Sequence, residues 1–205
     1  MNRRVAVALA AVLLAAASLT SCGGPLQAGA AAVVGGERIS LADVQARATG
    51  LRAAAAAEPG GTGELAQRAV AELILDALVA RALADRGLSV AAGDVADARA
   101  QDGVGAGASG PAGADAVRLD RLLALRGVPA TGADGYYRQQ AGIRLLAAAQ
   151  GLDAGTGTGD AAVRRALAEA ATGLGVRVNP RYGRWDAQRA ALVPAGAPEG
   201  STAAP

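Results

Sequence analysis

The chain has 205 residues and a formal net charge of +2, room for one ordinary domain and too little for two independent ones. Alanine supplies 57 positions and histidine, lysine and phenylalanine none, so the core is expected to be thin and all 20 cations are arginine. With Cys22 the only cysteine, an intramolecular disulfide is excluded, and so is most of the proton-transfer and nucleophilic chemistry that runs on His, Lys or Cys near neutral pH.

The first stretch, "MNRRVAVALAAVLLAAASLTSCGG", has a basic start at Arg3 and Arg4, an apolar run from Val5 to Ala17 and small residues leading to Cys22. This is the pattern of a signal peptide, and Leu19-Thr20-Ser21-Cys22 resembles the bacterial lipobox, whose cysteine is diacylated and becomes the first mature residue. Val5 to Ser21 is short for a membrane span, which needs about 20 apolar residues. The expectation is a signal peptide over 1–21, a lipidated Cys22 with a tether to residue 30, and attachment to the extracytoplasmic face of the cell membrane. Without residues 1–21 the charges balance, 18 arginines against 18 acids, and nothing calls for nucleic acid.

Two short apolar pieces, Ala31 to Val34 and Glu37 to Ile39, flank Gly35-Gly36, a two-residue hairpin signal. Ser40 and Asp43 then form a capping-box-like start, and Leu41, Val44, Ala48, Leu51 and Ala55 recur at helical spacing. After "EPGGTG" a second helix is predicted from Gly63 to Arg86, with Ala66, Val70, Leu73, Ile74, Ala77 and Leu78 as its core stripe and Gly87 as its C-cap. Further helices are expected over Gly93 to Gln101, Asp115 to Arg126, Thr131 to Gln150 and Asp160 to Thr172, with a glycine-rich loop over 102–115. Tyr136 and Tyr137, adjacent on a helix, point about 100° apart, so at most one faces the core squarely. Val176 to Val178 alternates as a strand and Asn179-Pro180 turns it. Residues 187–205 show no periodicity and are expected to be a disordered tail.

Candidate chemistry is sparse. Gly105 to Gly110 spells G-x-G-x-x-G, but no strand precedes it and Pro111 follows, so it reads as a loop rather than a dinucleotide fingerprint. "GTGTG" at 155–159 lacks the Lys and Ser/Thr of a phosphate loop and reads as a linker, and Ser109 has no histidine to activate it. Glu72 with Asp76 and Asp94 with Asp97 share helix faces; without aromatics to stack sugars, both pairs read as solvated faces or helix-dipole partners. Asp94, Asp97 and Asp102 do not have the spacing of an EF-hand loop. The residues point to no catalytic set, no cofactor and no metal site.

"VVGGERISLADVQAR" resembles the V-x-G-x-x-I-[ST] opening of SurA and PrsA N-terminal domains, matched at Val34, Gly36, Ile39 and Ser40. "GVRVNPRYGRWD" is similar to the segment that closes such domains, matched at Val178, Asn179, Pro180, Tyr182, Gly183 and Trp185. The resemblance covers about Ala31 to Asp186 and is to an actinobacterial-type lipoprotein with a SurA N-terminal-like domain. It implies a mainly α fold with a small β-sheet made from the N-terminal hairpin and a C-terminal strand. It also implies a chaperone-like binder of unfolded or newly exported polypeptides. The chain departs from the pattern at Ala91, where relatives carry a Thr or Ser cap, and it has no block of strands for a parvulin module, so prolyl isomerase activity is not implied. The alternative is an envelope scaffold lipoprotein that binds one specific protein partner. In the implied fold Tyr182 and Trp185 cover one end of an alanine-rich bundle.

Overall fold

The computed structural model describes residues 28–54, 62–105 and 112–195. Cys22 with the predicted signal segment, residues 106–110 of the glycine match and residues 196–205 lie outside the described residues. Within them the protein is mainly helical, six helices with one three-stranded and one two-stranded antiparallel sheet. No helix among them is long and apolar enough to cross a membrane.

β1 (Ala30–Val34) and β2 (Glu37–Ser40) form the predicted hairpin, with Val34 opposite Glu37 and Ala32 opposite Ile39. Gly35 and Gly36 sit at φ +61° and +87°, the pair of positive values that a tight hairpin turn demands. Gly35 is constrained twice, because a Cβ there would meet Leu174 Cδ2 at 2.5 Å and its N–H donates to the Leu174 carbonyl at 2.9 Å. Ser40 and Asp43 close the capping box in both directions: the Ser40 N–H donates to Asp43 Oδ2 at 2.9 Å and the Asp43 N–H to Ser40 Oγ at 3.1 Å. This launches α1 (Leu41–Ala54), which buries Val44, Ala48 and Leu51.

α2 (Thr62–Ala84) is the spine of the fold, packed on α1, β1 and two later helices. Its buried set, Leu65, Ala69, Val70, Ile74, Leu78, Val79, Ala82 and Leu83, is wider than one stripe, as a central helix requires. It ends in a Schellman motif, in which Leu88 N–H donates to the Leu83 carbonyl and Gly87 N–H to that of Ala84. α3 (Ala92–Gly105) and α4 (Ala112–Leu125) follow, then a 3₁₀ turn at Ala130–Gly132, α5 (Ala133–Ala148) and α6 (Gly157–Leu174). The predicted loop over 102–115 is therefore narrower than its glycine content suggests, since both neighbouring helices run into it. α6 starts three residues before the predicted Asp160, because Thr156 Oγ1 accepts the Gly159 N–H and makes "GTGTG" a capped helix start instead of a linker.

β3 (Arg177–Val178) pairs antiparallel with β1, giving the sheet order β2-β1-β3 and joining the two ends of the chain as expected. A 3₁₀ turn at Pro180–Tyr182 leads to β4 (Arg184–Asp186), which pairs not with the hairpin but with β5 (Ala191–Val193). The expectation of a disordered tail from Ala187 is thus corrected over residues 187–195. Asp186 Oδ1 accepts the N–H groups of Gln188 and Arg189, turning the chain back, and Leu192 packs on the core. One apolar cluster joins the sheet, α1, α2, α5 and α6 with Tyr182 and Trp185; a smaller one gathers Ala98, Leu123, Tyr137 and Ala141.

Candidate functional site

α2 places Arg68, Glu72 and Asp76 at successive four-residue steps, so the three side chains share one face. That face meets α1 and α5. Arg47 of α1 reaches Glu72 Oε2 at 3.2 Å and Asp76 Oδ2 at 3.1 Å, Arg68 Nε reaches Glu72 Oε1 at 2.9 Å, and Gln139 of α5 donates to Asp76 Oδ1 at 2.7 Å. The network runs on through the Arg68 guanidinium, which donates to the Arg126 carbonyl, and the Arg126 guanidinium, which bonds Asp102 and the Tyr136 hydroxyl. Glu72 and Asp76 are therefore not the solvated face that the sequence suggested; they tie three helices together while remaining part-exposed.

Burial raises the Asp76 carboxyl above the ordinary value of 3.8, outweighing the opposing pull of Arg47 and the bond from Gln139. Asp43 is lowered from the same value, first by the Ser40 hydroxyl and then by the Ser40 N–H. The signs are opposite for stability. The contribution linked to Asp76 is fullest with its proton on and is lost as pH rises through its raised folded value; that linked to Asp43 is lost as pH falls through its lowered one. In a ¹³C NMR pH titration the Asp76 carboxyl is expected to titrate above 3.8 and that of Asp43 below it; the reverse order would contradict the network.

Around this network lie two concavities of about 540 and about 400 Å³. They meet at Asp76, Gly135 and Gln139 and so form one groove along α2. The larger end is mixed, with Arg47, Arg68, Glu72 and Tyr136 in its wall beside Leu51, Leu73, Val128 and Pro129; the other is more apolar, lined by Val79, Leu83, Leu88 and Val90. A third hollow of about 460 Å³ lies between α2 and β5, against Leu75, Tyr182 and Leu192.

Apart from Glu72, Asp76 and Tyr136, the residues singled out from the sequence lie elsewhere and do structural work. Gly36, Ile39 and Ser40 make the hairpin and cap. The Asn179 side chain accepts the Arg181 N–H and donates to the Ala30 carbonyl, Pro180 opens the 3₁₀ turn, and Tyr182 and Trp185 enter the main core. Tyr137 is fully buried, which drives its hydroxyl up to about 12, while Tyr136 is half-buried on Arg126. Asp94 accepts the Ala91 N–H at the start of α3, supplying the capping contact that Ala91 cannot. Among the described residues no three His, Cys, Asp or Glu side chains converge as a metal site would require. Sequence reasoning did not find the groove: the i, i+4 run on α2 was visible, but nothing in the local pattern named Arg47, Gln139 or Gly135 as its neighbours. No family model, no curated protein and no solved structure matches the chain.

Proposed function

We propose that this chain is a lipoprotein, anchored through Cys22 to the extracytoplasmic face of the cell membrane, whose helical domain binds extended, unfolded or newly exported polypeptide without prolyl isomerase activity. The observation that carries the reading is the groove along α2, a mixed half and a more apolar half joined at Asp76, Gly135 and Gln139. An extended chain offers backbone amides and side chains of both kinds in alternation, and a groove of mixed lining accepts both without selecting one sequence. The likeness of the hairpin and of the closing segment to SurA and PrsA N-terminal domains supports the same reading.

Gly135 gives the test. It stands where the two halves meet, it is helical, and a Cβ there has nothing within 4 Å. Gly135→Arg should therefore block the groove while leaving stability unchanged or raised by up to about 1 kcal/mol, since glycine is a poor helix residue. The wild-type protein is expected to suppress aggregation of a denatured client at stoichiometric ratio, and Gly135→Arg, shown folded by circular dichroism, to lose that suppression. No suppression by folded wild type rejects the chaperone reading. Crosslinking that returns one stoichiometric partner in place of many clients favours a scaffold. The anchor is tested separately: Cys22→Ala should abolish metabolic palmitate labelling, and retained label would overturn it.

A further inference from the structure

The more apolar end of the groove contains a cation with nothing to pair with. Arg138, exposed on α5, stands in the wall of that hollow of about 400 Å³ beside Val79, Leu83, Leu88 and Val90, and its guanidinium makes no ion pair or hydrogen bond with a described residue. The neighbouring acids are taken. Asp76, in the same wall, is held by Arg47 and Gln139, and Asp134, one turn earlier on α5, by Arg99. Among the described residues no other cation lines this hollow. Nor is the wall slack packing. Val79, Leu83 and Val90 are seated on α5 at Gly142, where a Cβ would meet Val79 Cγ1 at 2.7 Å, Leu83 Cδ1 at 3.1 Å and Val90 Cγ2 at 3.7 Å. Side chains held that closely from behind cannot swing across to fill the hollow.

The hollow also has a free main-chain edge. Leu88 to Ala91 belong to neither helix nor strand, and half-buried Leu88 and Val90 alternate with exposed Ser89 and Ala91, as in an extended segment. The Leu88 N–H is used by the cap of α2 and the Ala91 N–H by Asp94. Between them the Ser89 and Val90 N–H groups and the carbonyls of residues 88–90 make no hydrogen bond to a described residue. An extended chain can pair with such an edge through its own backbone, whatever its sequence. We infer that this end of the groove takes an extended client segment in which an apolar side chain is followed two positions on by Asp or Glu, the first entering the hollow and the second pairing with Arg138. Residues two apart in an extended chain point the same way and lie about 6.6 Å apart, so both fit a hollow of about 400 Å³. One free guanidinium matches one carboxylate, where a phosphate dianion would call for more. The inference rests on the groove reading of the proposed function and adds a preference to it.

The test separates the preference from the groove. The full chain, in mild detergent, is titrated into fluorescent peptides that carry Leu-Ser-Glu or Leu-Ser-Gln at the centre and are acetylated and amidated at their ends, and anisotropy reports binding. Wild type is expected to hold the Glu peptide roughly three- to fivefold tighter, the range open to an exposed ion pair, and to lose that margin in high salt. Arg138→Gln should hold both peptides as wild type holds the Gln one, while Arg165→Gln, at an exposed site on α6, keeps the margin and Gly135→Arg binds neither. Equal binding of the two peptides by wild type, with neither bound by Gly135→Arg, overturns the preference and leaves the groove standing. A margin that survives in Arg138→Gln, or vanishes in Arg165→Gln, overturns the part given to Arg138. A Gln peptide with a free C-terminus that binds as tightly as the amidated Glu peptide moves the carboxylate to the chain end and overturns the side-chain assignment. Binding of neither peptide by wild type, or of both by Gly135→Arg, overturns the groove reading as well.

Discussion

Trp185→Ala is expected to lower the unfolding free energy by about 3 kcal/mol or more, the usual loss when a buried aromatic is truncated. Trp185 is 9% exposed and belongs to the main core, a cluster whose members include Ala31, Ala32, Ala166, Ala170 and Ala171 as well as larger aliphatic residues. The more of a core that is alanine, the less its side chains can extend into the space an indole vacates, which puts the loss toward the high end of such series. The indole Nε1 is buried and has no hydrogen-bond partner among the described residues. Trp185→Phe removes that unpaired donor while keeping most of the ring, and is expected to be far milder than the alanine change. Urea unfolding followed by far-ultraviolet circular dichroism measures both, since this is the chain's one tryptophan and fluorescence is lost with it. A change below about 1 kcal/mol for Trp185→Ala would contradict its burial.

What was legible in the sequence and what was not divides by distance along the chain. The hairpin turn, the Ser40 cap and the Gly87 stop are each decided within a few residues by φ or by one side-chain bond, and all three stand where the pattern placed them. The union of the two chain ends was also legible, because β3 follows from a short alternating run and the hairpin offers it an edge. The groove was not. Arg47 lies 25 residues from Glu72 and Gln139 lies 63 from Asp76, and only helix packing brings those partners together. β5 escaped for a different reason: three residues are too few for a periodicity, and the signal was Asp186 as the acceptor of a turn rather than any feature of Ala191–Val193. In an alanine-rich chain the apolar pattern marks which helices pack but says little about how closely, so the hollows left between them are set by the few large residues.

Gly183→Ala should rival the tryptophan change, with a loss of about 3 kcal/mol, and it separates two reasons for a glycine. Gly183 has φ +113° and ψ −156°, a region closed to residues with a side chain, and a Cβ there would lie 2.4 Å from the Val193 carbonyl oxygen and 3.0 Å from Leu192 Cδ2. The carbonyl belongs to the β5 backbone and cannot rotate aside as a side-chain tip could. Accommodating alanine therefore means lifting β5 off β4, which undoes the Arg184–Val193 pairing and uncovers Tyr182 from the Leu192 side. Gly36→Ala is the control. Gly36 also has positive φ, but a Cβ there meets nothing within 4 Å, so only the backbone strain of about 1–2 kcal/mol remains. Chemical denaturation should rank the two accordingly, and limited trypsin digestion should cut after Arg189 several-fold faster in Gly183→Ala alone. Equal losses with unchanged digestion would mean that backbone conformation, not the closeness of β5, fixes the glycine. The predicted ranking makes "YGRW" a joint with three parts: Tyr182 and Trp185 fill the end of the bundle, and Gly183 between them lets β5 close over it.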